Sequence, residues 1–389
     1  MIDLRAVFRL RWSVLVLLVL LTAGGAVALA ACGQAPVASG SGADLHPLMV
    51  AGQMGYVDRA GDMLIKPQFT QVQPFTEGLA AVGTEKGPWE YIDPAGKVVI
   101  RGKYQYGMPF SEGLAAVTLD SGSHAYIDRT GRIAIPGPFG MAGDFSEGLA
   151  VVGVAPQPLA DDLYGVIDAT GRWVVPARYK NMDNFSEGLA AVENAAGLWG
   201  YVDITGREVI APRFPWFDDA SPVRAFAGGV AAAHADTGWG FIDRNGAWVI
   251  PPQLEQVGQF DGLLAAAKSG GRWGFIDRNG AWVIPATFEG VSGFYEGLCI
   301  AENNGLWGLV DRTGAWVVPA QYKEFGGFSE GLALVKNADG LWGYMDVTGK
   351  MIIEPKYWWA EAFHGGVAVV RLGGNSDLLI DQTGKTLTK

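Results

Sequence analysis

The sequence predicts an all-β protein of ten repeated three-stranded antiparallel units, each about 35 residues long, in a propeller-like or open superhelical array. Three observations carry this reading. The thirteen residues WGFIDRNGAWVIP occur twice, at 239–251 and 273–285. Asp-x-x-Gly recurs at Asp58, Asp93, Asp128, Asp168, Asp203, Asp243, Asp277, Asp311, Asp346 and Asp381, at intervals of 34 to 40 residues. A second marker, FSEGLAAV or a relative, begins at Phe75, Phe110, Phe145, Phe185, Phe226, Phe260, Phe294, Phe328 and Phe363 with nearly the same step. A fixed period in this range marks an array of supersecondary units that bury their apolar faces against one another.

The chain opens with a different kind of segment. Arg5, Arg9 and Arg11 give a basic start, Val14 to Leu29 is uncharged and mostly apolar, and the run closes with LAAC at 29–32. This reads as an export signal over residues 1–31. Ala30 and Ala31 before Cys32 resemble the lipobox of bacterial lipoproteins, which implies cleavage before Cys32 and lipid on its thiol. An ordinary cleaved signal and an uncleaved membrane helix are the alternatives, and all three take the rest of the chain out of the cytoplasm. Residues 32–46, rich in Gly, Ser, Ala and Pro, read as a flexible tether. The repeat domain then occupies 47–389. If Cys32 carries lipid, the only other cysteine, Cys299, has no disulfide partner and is expected to be a small core residue.

Each unit is expected to contain three strands. From Gly188 these are GLAAV, LWGYVD and REVIAP, with the turn ITG before the last. The middle strand alternates, placing Trp199, Tyr201 and Asp203 on one face and Gly200 and Val202 on the other. The pairs Asp203 with Gly206, Asp243 with Gly246 and Asp277 with Gly280 are expected to form tight hairpins, the glycine left-handed and the carboxylate accepting from turn N–H groups. Proline ends the third strand at Pro67, Pro176, Pro251, Pro285 and Pro319, where a missing N–H costs no ladder bond.

The Trp-Gly pairs at 199–200, 239–240, 273–274, 307–308 and 342–343, each followed by Asp-x-x-Gly, a WVIP-like strand and FSEGLA, resemble the WG repeat family, also called KWG repeats, of bacterial surface and secreted proteins. The resemblance covers nearly the whole region after the signal. It implies a β-repeat scaffold, often propeller-like, with no common activity. The first units depart from the motif, with Met54-Gly55, Trp89-Glu90 and His124-Ala125, as does the last, with Asp377-Leu378. Both ends are expected to hold whole units, and the absence of a strand exchanged between the termini favours an open stack or two rings. Ten units also exceed the 4 to 8 blades typical of a propeller.

Composition narrows the function. The 389 residues are 49% hydrophobic and 18% charged, enough for a large core. The formal charge is -11, so a nucleic-acid partner is not expected. No metal or cofactor is expected: His46, His124, His234 and His364 lack ligand spacing, and no phosphate loop or nucleophile elbow occurs. The repeated Asp and the Glu of FSEGLA read as turn residues. Chemistry therefore belongs to what is not repeated. Two insertions break the period, at 153–165 and at 215–226, the second with Trp216, Asp218 and Asp219; YWWAEAF at 357–363 adds adjacent Trp358 and Trp359. These five are the candidate binding residues. A second tryptophan series, Trp173, Trp248, Trp282 and Trp316, reads first as packing between units and otherwise as an aromatic binding surface. The expected function is a noncatalytic, lipid-anchored binding scaffold of the cell envelope, held to the membrane through Cys32, with an envelope protein, peptide or glycan as partner. A glycan-active enzyme with acids gathered from the inserted loops, and a purely structural spacer, are the alternatives.

Overall fold

The computed structural model describes residues 45–50, 52–58, 62–85, 87–154, 163–217, 221–373 and 378–387. The signal segment, Cys32, most of the tether, Asp218, Asp219 and the centre of the first insertion lie outside them. Every regular element among the described residues is a β-strand, and the strands form ten antiparallel sheets. The sheets are numbered in chain order, spanning 46–69, 71–104, 106–139, 141–179, 181–215, 230–254, 256–288, 290–322, 324–357 and 359–381 for sheets 1 to 10.

Sheet 5 shows the unit. Strand a is Asn181–Met182, strand b Leu189–Glu193, strand c Leu198–Asp203 and strand d Glu208–Pro215, hydrogen-bonded in that order. Among the described residues seven sheets have all four strands, whereas sheets 1 and 6 show no strand a and sheet 10 has only a single bridge, Ile380 to Thr386, where strand d would stand. The unit is thus larger than the three strands expected from sequence. In sheets 2 to 5 strand a is only two residues long, too short to leave a period-2 signal.

Strands b and c of sheet 5 are buried along nearly their whole length. Sheets on both sides cover the two faces of strand c, so its alternation sorts residues between two neighbours rather than between core and water. Strand d alternates between buried and exposed positions and carries a register shift where it passes strand c. The bulge and the proline of this edge blunt its unpaired hydrogen-bonding side.

That crossing explains the Trp-Gly motif. A Cβ on Gly200 would lie 2.4 Å from the Ile210 carbonyl oxygen and 2.6 Å from Pro212 N; a Cβ on Gly274 would lie 2.4 Å from the Ile284 carbonyl oxygen. No side chain fits there. Where sheets 2 and 3 have Glu90 and Ala125 instead, a glycine stands on the facing strand d: a Cβ on Gly102 would be 2.8 Å from Pro88 Cγ, and one on Gly137 would be 2.1 Å from the His124 carbonyl oxygen. The glycine changes strand and the crossing keeps it.

Neighbouring sheets are joined by a repeated set of contacts. The strand c tyrosines donate from their hydroxyls to carbonyls of the next unit: Tyr56 to Gln73, Tyr91 to Met108, Tyr126 to Gly143, Tyr201 to Arg224 and Tyr344 to Glu361, all at 2.6 to 2.8 Å. The same rings pack edge-on against the marker phenylalanine, as Tyr91 on Phe110 at 5.1 Å and Tyr201 on Phe226 at 4.8 Å. Each aromatic pair adds about 0.5–1.5 kcal/mol beyond its burial.

The buried apolar side chains of the described residues fall into ten clusters, each drawn from two sheets. Ten sheets in an open stack have nine junctions. The tenth cluster joins Leu48 and Val57 of sheet 1 to Val367 and Leu379 of sheet 10, so the array closes into a ring like a ten-bladed propeller. The sequence-based argument for an open stack fails because it required strand exchange. Side-chain packing closes this ring, with no shared strand among the described residues.

Candidate functional site

Because each sheet is a simple meander, its connections fall on two faces of the ring. The b–a loops bearing the Glu-Gly marker and the c–d hairpins share one face, called the turn face. The b–c loops and the links from strand d to the next sheet share the other, the loop face. Val154 and Leu163 at the ends of the first insertion, Trp216 and Phe217 in the second, and Trp358 lie on the loop face by this strand direction.

The turn face is regular. Asp203 Oδ1 accepts from Thr205 N at 2.9 Å, Thr205 Oγ1 at 2.6 Å and Arg207 N at 3.1 Å, while Gly206 has φ 81°. The Thr205 hydroxyl leads in holding the Asp203 pKa down to about 2. Asp243 accepts from Asn245 N and Ala247 N at 2.8 and 2.9 Å beside Gly246, φ 83°. Asp277 does so from Asn279 N and Ala281 N, both at 2.9 Å, beside Gly280, φ 80°, and these backbone donors lower its pKa. The marker glutamates do more than enter a strand. Glu77, Glu112, Glu147, Glu187, Glu296 and Glu330 are left-handed, with φ 49–55°, and several clamp the next unit. Glu187 accepts from Gly228 N at 2.6 Å and Gly229 N at 2.9 Å, while Arg244 donates to its carbonyl at 2.7 Å. Glu330 repeats the clamp on Gly365 N and Gly366 N. The left-handed backbone costs about 1–2 kcal/mol per residue, which two charge-assisted hydrogen bonds offset.

The loop face breaks the pattern where sheet 5 meets sheet 6. After strand d the chain runs out through Trp216 and Phe217 and returns at Val223, whose single bridge to Ala233 stands where other sheets have strand a. Trp216 donates from Nε1 to Glu193 Oε1 at 2.7 Å and meets Trp199 edge-on at 5.5 Å. Asn181 Nδ2 donates to Glu193 Oε2 at 2.5 Å. Phe217 stacks on His234 at 3.6 Å, His234 meets Trp239 at 5.3 Å, and the Arg224 guanidinium lies 5.0 Å from the Trp239 ring. Trp216 and Phe217 nevertheless remain 43% and 41% exposed. Glu193 and His234 are the buried polar residues of the described chain, and both lie under this insertion. Burial lowers the His234 pKa against the opposing charge of Asp236, favouring the neutral ring. The buried indole N–H of Trp199 has no acceptor among the described residues.

The other candidates are scattered. Trp358 is exposed and outside any strand, while Trp359 is half-buried in strand a of sheet 10 under the Arg371 guanidinium, 4.5 Å from its ring. This pair is far along the ring from Trp216, five sheets away. The second tryptophan series packs between units in part: Trp248 meets Phe214 at 6.2 Å and Trp316 meets Phe288 at 5.7 Å, whereas Trp173 and Trp282 are exposed. Cys299 is fully buried, and burial pushes its thiol up to about 12, which makes it inert. No group of three or more His, Cys, Asp or Glu among the described residues could hold a metal ion. Sequence reasoning missed Glu193, Asn181 and His234, since each is a single polar residue in an ordinary strand; the change from Lys268 and Lys336 to Glu193 and His234 at one strand b position in a repeat alignment is the signal that finds the last two.

A closed ring of small antiparallel sheets, most with a glycine where strands c and d cross, defines a propeller-like repeat protein. Nine matches to the WG containing repeat model cover 54–85, 91–121, 125–154, 164–195, 199–233, 239–273, 273–307, 307–341 and 342–375. The chain belongs to the WG containing repeat family. No curated protein matches it. Among solved structures it is similar to the computationally designed Ika8 protein at 14% identity, covering 72% of this chain and 96% of that one with TM-score 0.37. It is also similar to a eukaryotic initiation factor at 12% identity, covering 71% and 84% with TM-score 0.45. A third likeness is to BamB from Moraxella catarrhalis, at 14% identity, covering 70% and 92% with TM-score 0.38.

Proposed function

We propose that this protein is a noncatalytic binding scaffold of the cell envelope, anchored by lipid on Cys32, that engages a protein, peptide or glycan through the loop face between sheets 5 and 6. The observation that carries the reading is the held yet exposed Trp216–Phe217 pair. Glu193 and Trp199 fix one ring and His234 the other, so little side-chain entropy remains to be lost when a partner covers them. Binding without catalysis fits the rest of the surface, where carboxylates serve turns and clamps.

Two measurements test this. The mass of the mature N-terminus, with and without globomycin, is expected to show a diacylglycerol-modified Cys32; an unmodified Cys32 overturns the anchor. The full chain in detergent, probed on an array of envelope proteins, peptides and glycans, is expected to give a selective hit that the W216A/F217A double variant loses. A silent array, or a hit unchanged in that variant, overturns the binding assignment.

A further inference from the structure

We propose that the Trp216–Glu193 site receives a basic side chain, arginine or lysine, from a partner polypeptide; this rests on the binding reading above and names its ligand chemistry. The argument comes from comparing equivalent positions around the ring. At or next to the end of strand b, one residue faces the strand c tryptophan directly across the ladder: Lys268 faces Trp273, Lys336 faces Trp342 and Glu193 faces Trp199. Lys268 Nζ lies 5.8 Å from the Trp273 ring centroid and Lys336 Nζ lies 5.1 Å from that of Trp342. In sheet 6 His234 takes the position and Arg224 supplies the cation, 5.0 Å from Trp239. A cation therefore lies on the ring at three of the six strand c tryptophans, Trp239, Trp273 and Trp342.

Sheet 5 inverts it. The cation is replaced by an acid, and an extra indole, Trp216, is laid beside it. Glu193 is 5% exposed and its two oxygens are met by neutral donors, Asn181 Nδ2 and Trp216 Nε1, with no Lys or Arg paired to it among the described residues. An ionised carboxylate has about four lone-pair sites, so two stay open to a further donor. Sheet 8 also has an acid there, Glu302 facing Trp307, but adds no second tryptophan. The approach to Glu193 is over Gly197, where an added Cβ would lie 3.7 Å from Glu193 Oε1 and 4.0 Å from Trp216 Cδ1. A part-exposed indole with a carboxylate at its N–H edge matches a guanidinium, which stacks and donates at once; the ammonium of lysine uses the same two features as a point charge.

The test uses the full chain in detergent, with indole 15N–1H resonances as readout and W216F assigning the Trp216 signal. Titrating Ac-Gly-Arg-Gly-NH2 is expected to shift the Trp216 resonance, with the citrulline peptide, neutral and nearly isosteric, at least about tenfold weaker. E193Q is expected to weaken the arginine peptide by a similar factor while the remaining indole resonances keep their positions, which separates lost binding from lost folding. Equal binding of the arginine and citrulline peptides, or no shift of Trp216 at about 10 mM peptide, overturns the inference. A preference for choline over both peptides overturns it in favour of a quaternary ammonium. An array hit lost in W216A/F217A but containing no basic residue overturns this inference alone, whereas a silent array overturns the binding reading beneath it.

Discussion

Glu187 and Glu193 flank one strand and do opposite work. Glu187, on the turn face, stands in a position repeated around the ring and spends both oxygens on the backbone of sheet 6. Glu193, on the loop face, stands where sheets 7 and 9 have lysine, and it holds an exposed tryptophan. The same side chain is a joint at one end and a support for a surface at the other. The difference teaches where this ring can vary. The turn face carries the bonds that join unit to unit, so its residues repeat; the loop face joins little, so residues there change at small cost to the ring.

The largest effect is expected where both faces depend on a shared strand. G274A places a methyl group against the Ile284 carbonyl, and a forced backbone shift of this kind is expected to cost about 3 kcal/mol, read as a fall in the denaturation midpoint. Unchanged stability would mean that strand d moves aside freely and that the Trp-Gly motif has another cause. Next in size is E187A, which removes two charge-assisted bonds and an ion pair to Arg244; a loss of about 2 kcal/mol is expected by urea unfolding. If E193A costs more than E187A, the division of labour between the faces is wrong.

Acid sharpens the comparison because hairpins of the two faces differ in charge. The turn-face hairpins are closed by aspartates, and the loop-face turns at Asn194 and Asn337 use an amide for the same bonds to Leu198 N and Leu341 N. Asp168 and Asp203 have pKa values lowered to about 2, led by the hydroxyls of Thr170 and Thr205. A depressed folded pKa means that the unfolded chain binds more protons at low pH. The contribution is therefore complete above the unfolded value of about 4 and is lost as pH falls from there through about 2. Hydrogen exchange at decreasing pH, corrected for intrinsic rates, is expected to show the amides of Thr205 and Arg207 losing protection while those of Ala196 and Leu198 keep it. The smallest effect is expected for W216A on stability, under about 1 kcal/mol, because the ring is already half in water. A larger loss would make Trp216 a joint rather than a binding surface.

Much of the fold was legible because repetition averages out local ambiguity. Ten copies of Asp-x-x-Gly locate ten hairpins, and the alternation in LWGYVD gives the central strand. Strand a was not legible, since two residues such as Asn181 and Met182 show no period. Ring closure was not legible either: Leu48, Val57, Val367 and Leu379 are ordinary aliphatic residues, and nothing in their identity says that they meet. Of the candidate site, Trp216 stood out because it lies in an insertion. Glu193 and His234 did not, because burial of a polar group is a property of what folds over it, and the segment that does so is some twenty residues away in one case and precedes it in the other.

Closure without a shared strand has a consequence for how the chain came to its present length. The identical segments at 239–251 and 273–285 lie in neighbouring sheets, as a tandem duplication within the gene would leave them. In a ring sealed by a strand from the far terminus, each added copy must preserve that particular partnership. Here every junction, the closing one included, is packed through side chains with no strand shared between sheets among the described residues, so a copy inserted anywhere widens the circle and leaves the ladders of its neighbours as they were. Copy number is then free to drift until the curvature between sheets can no longer accommodate it, and relatives with different numbers of units are the expected trace of that freedom.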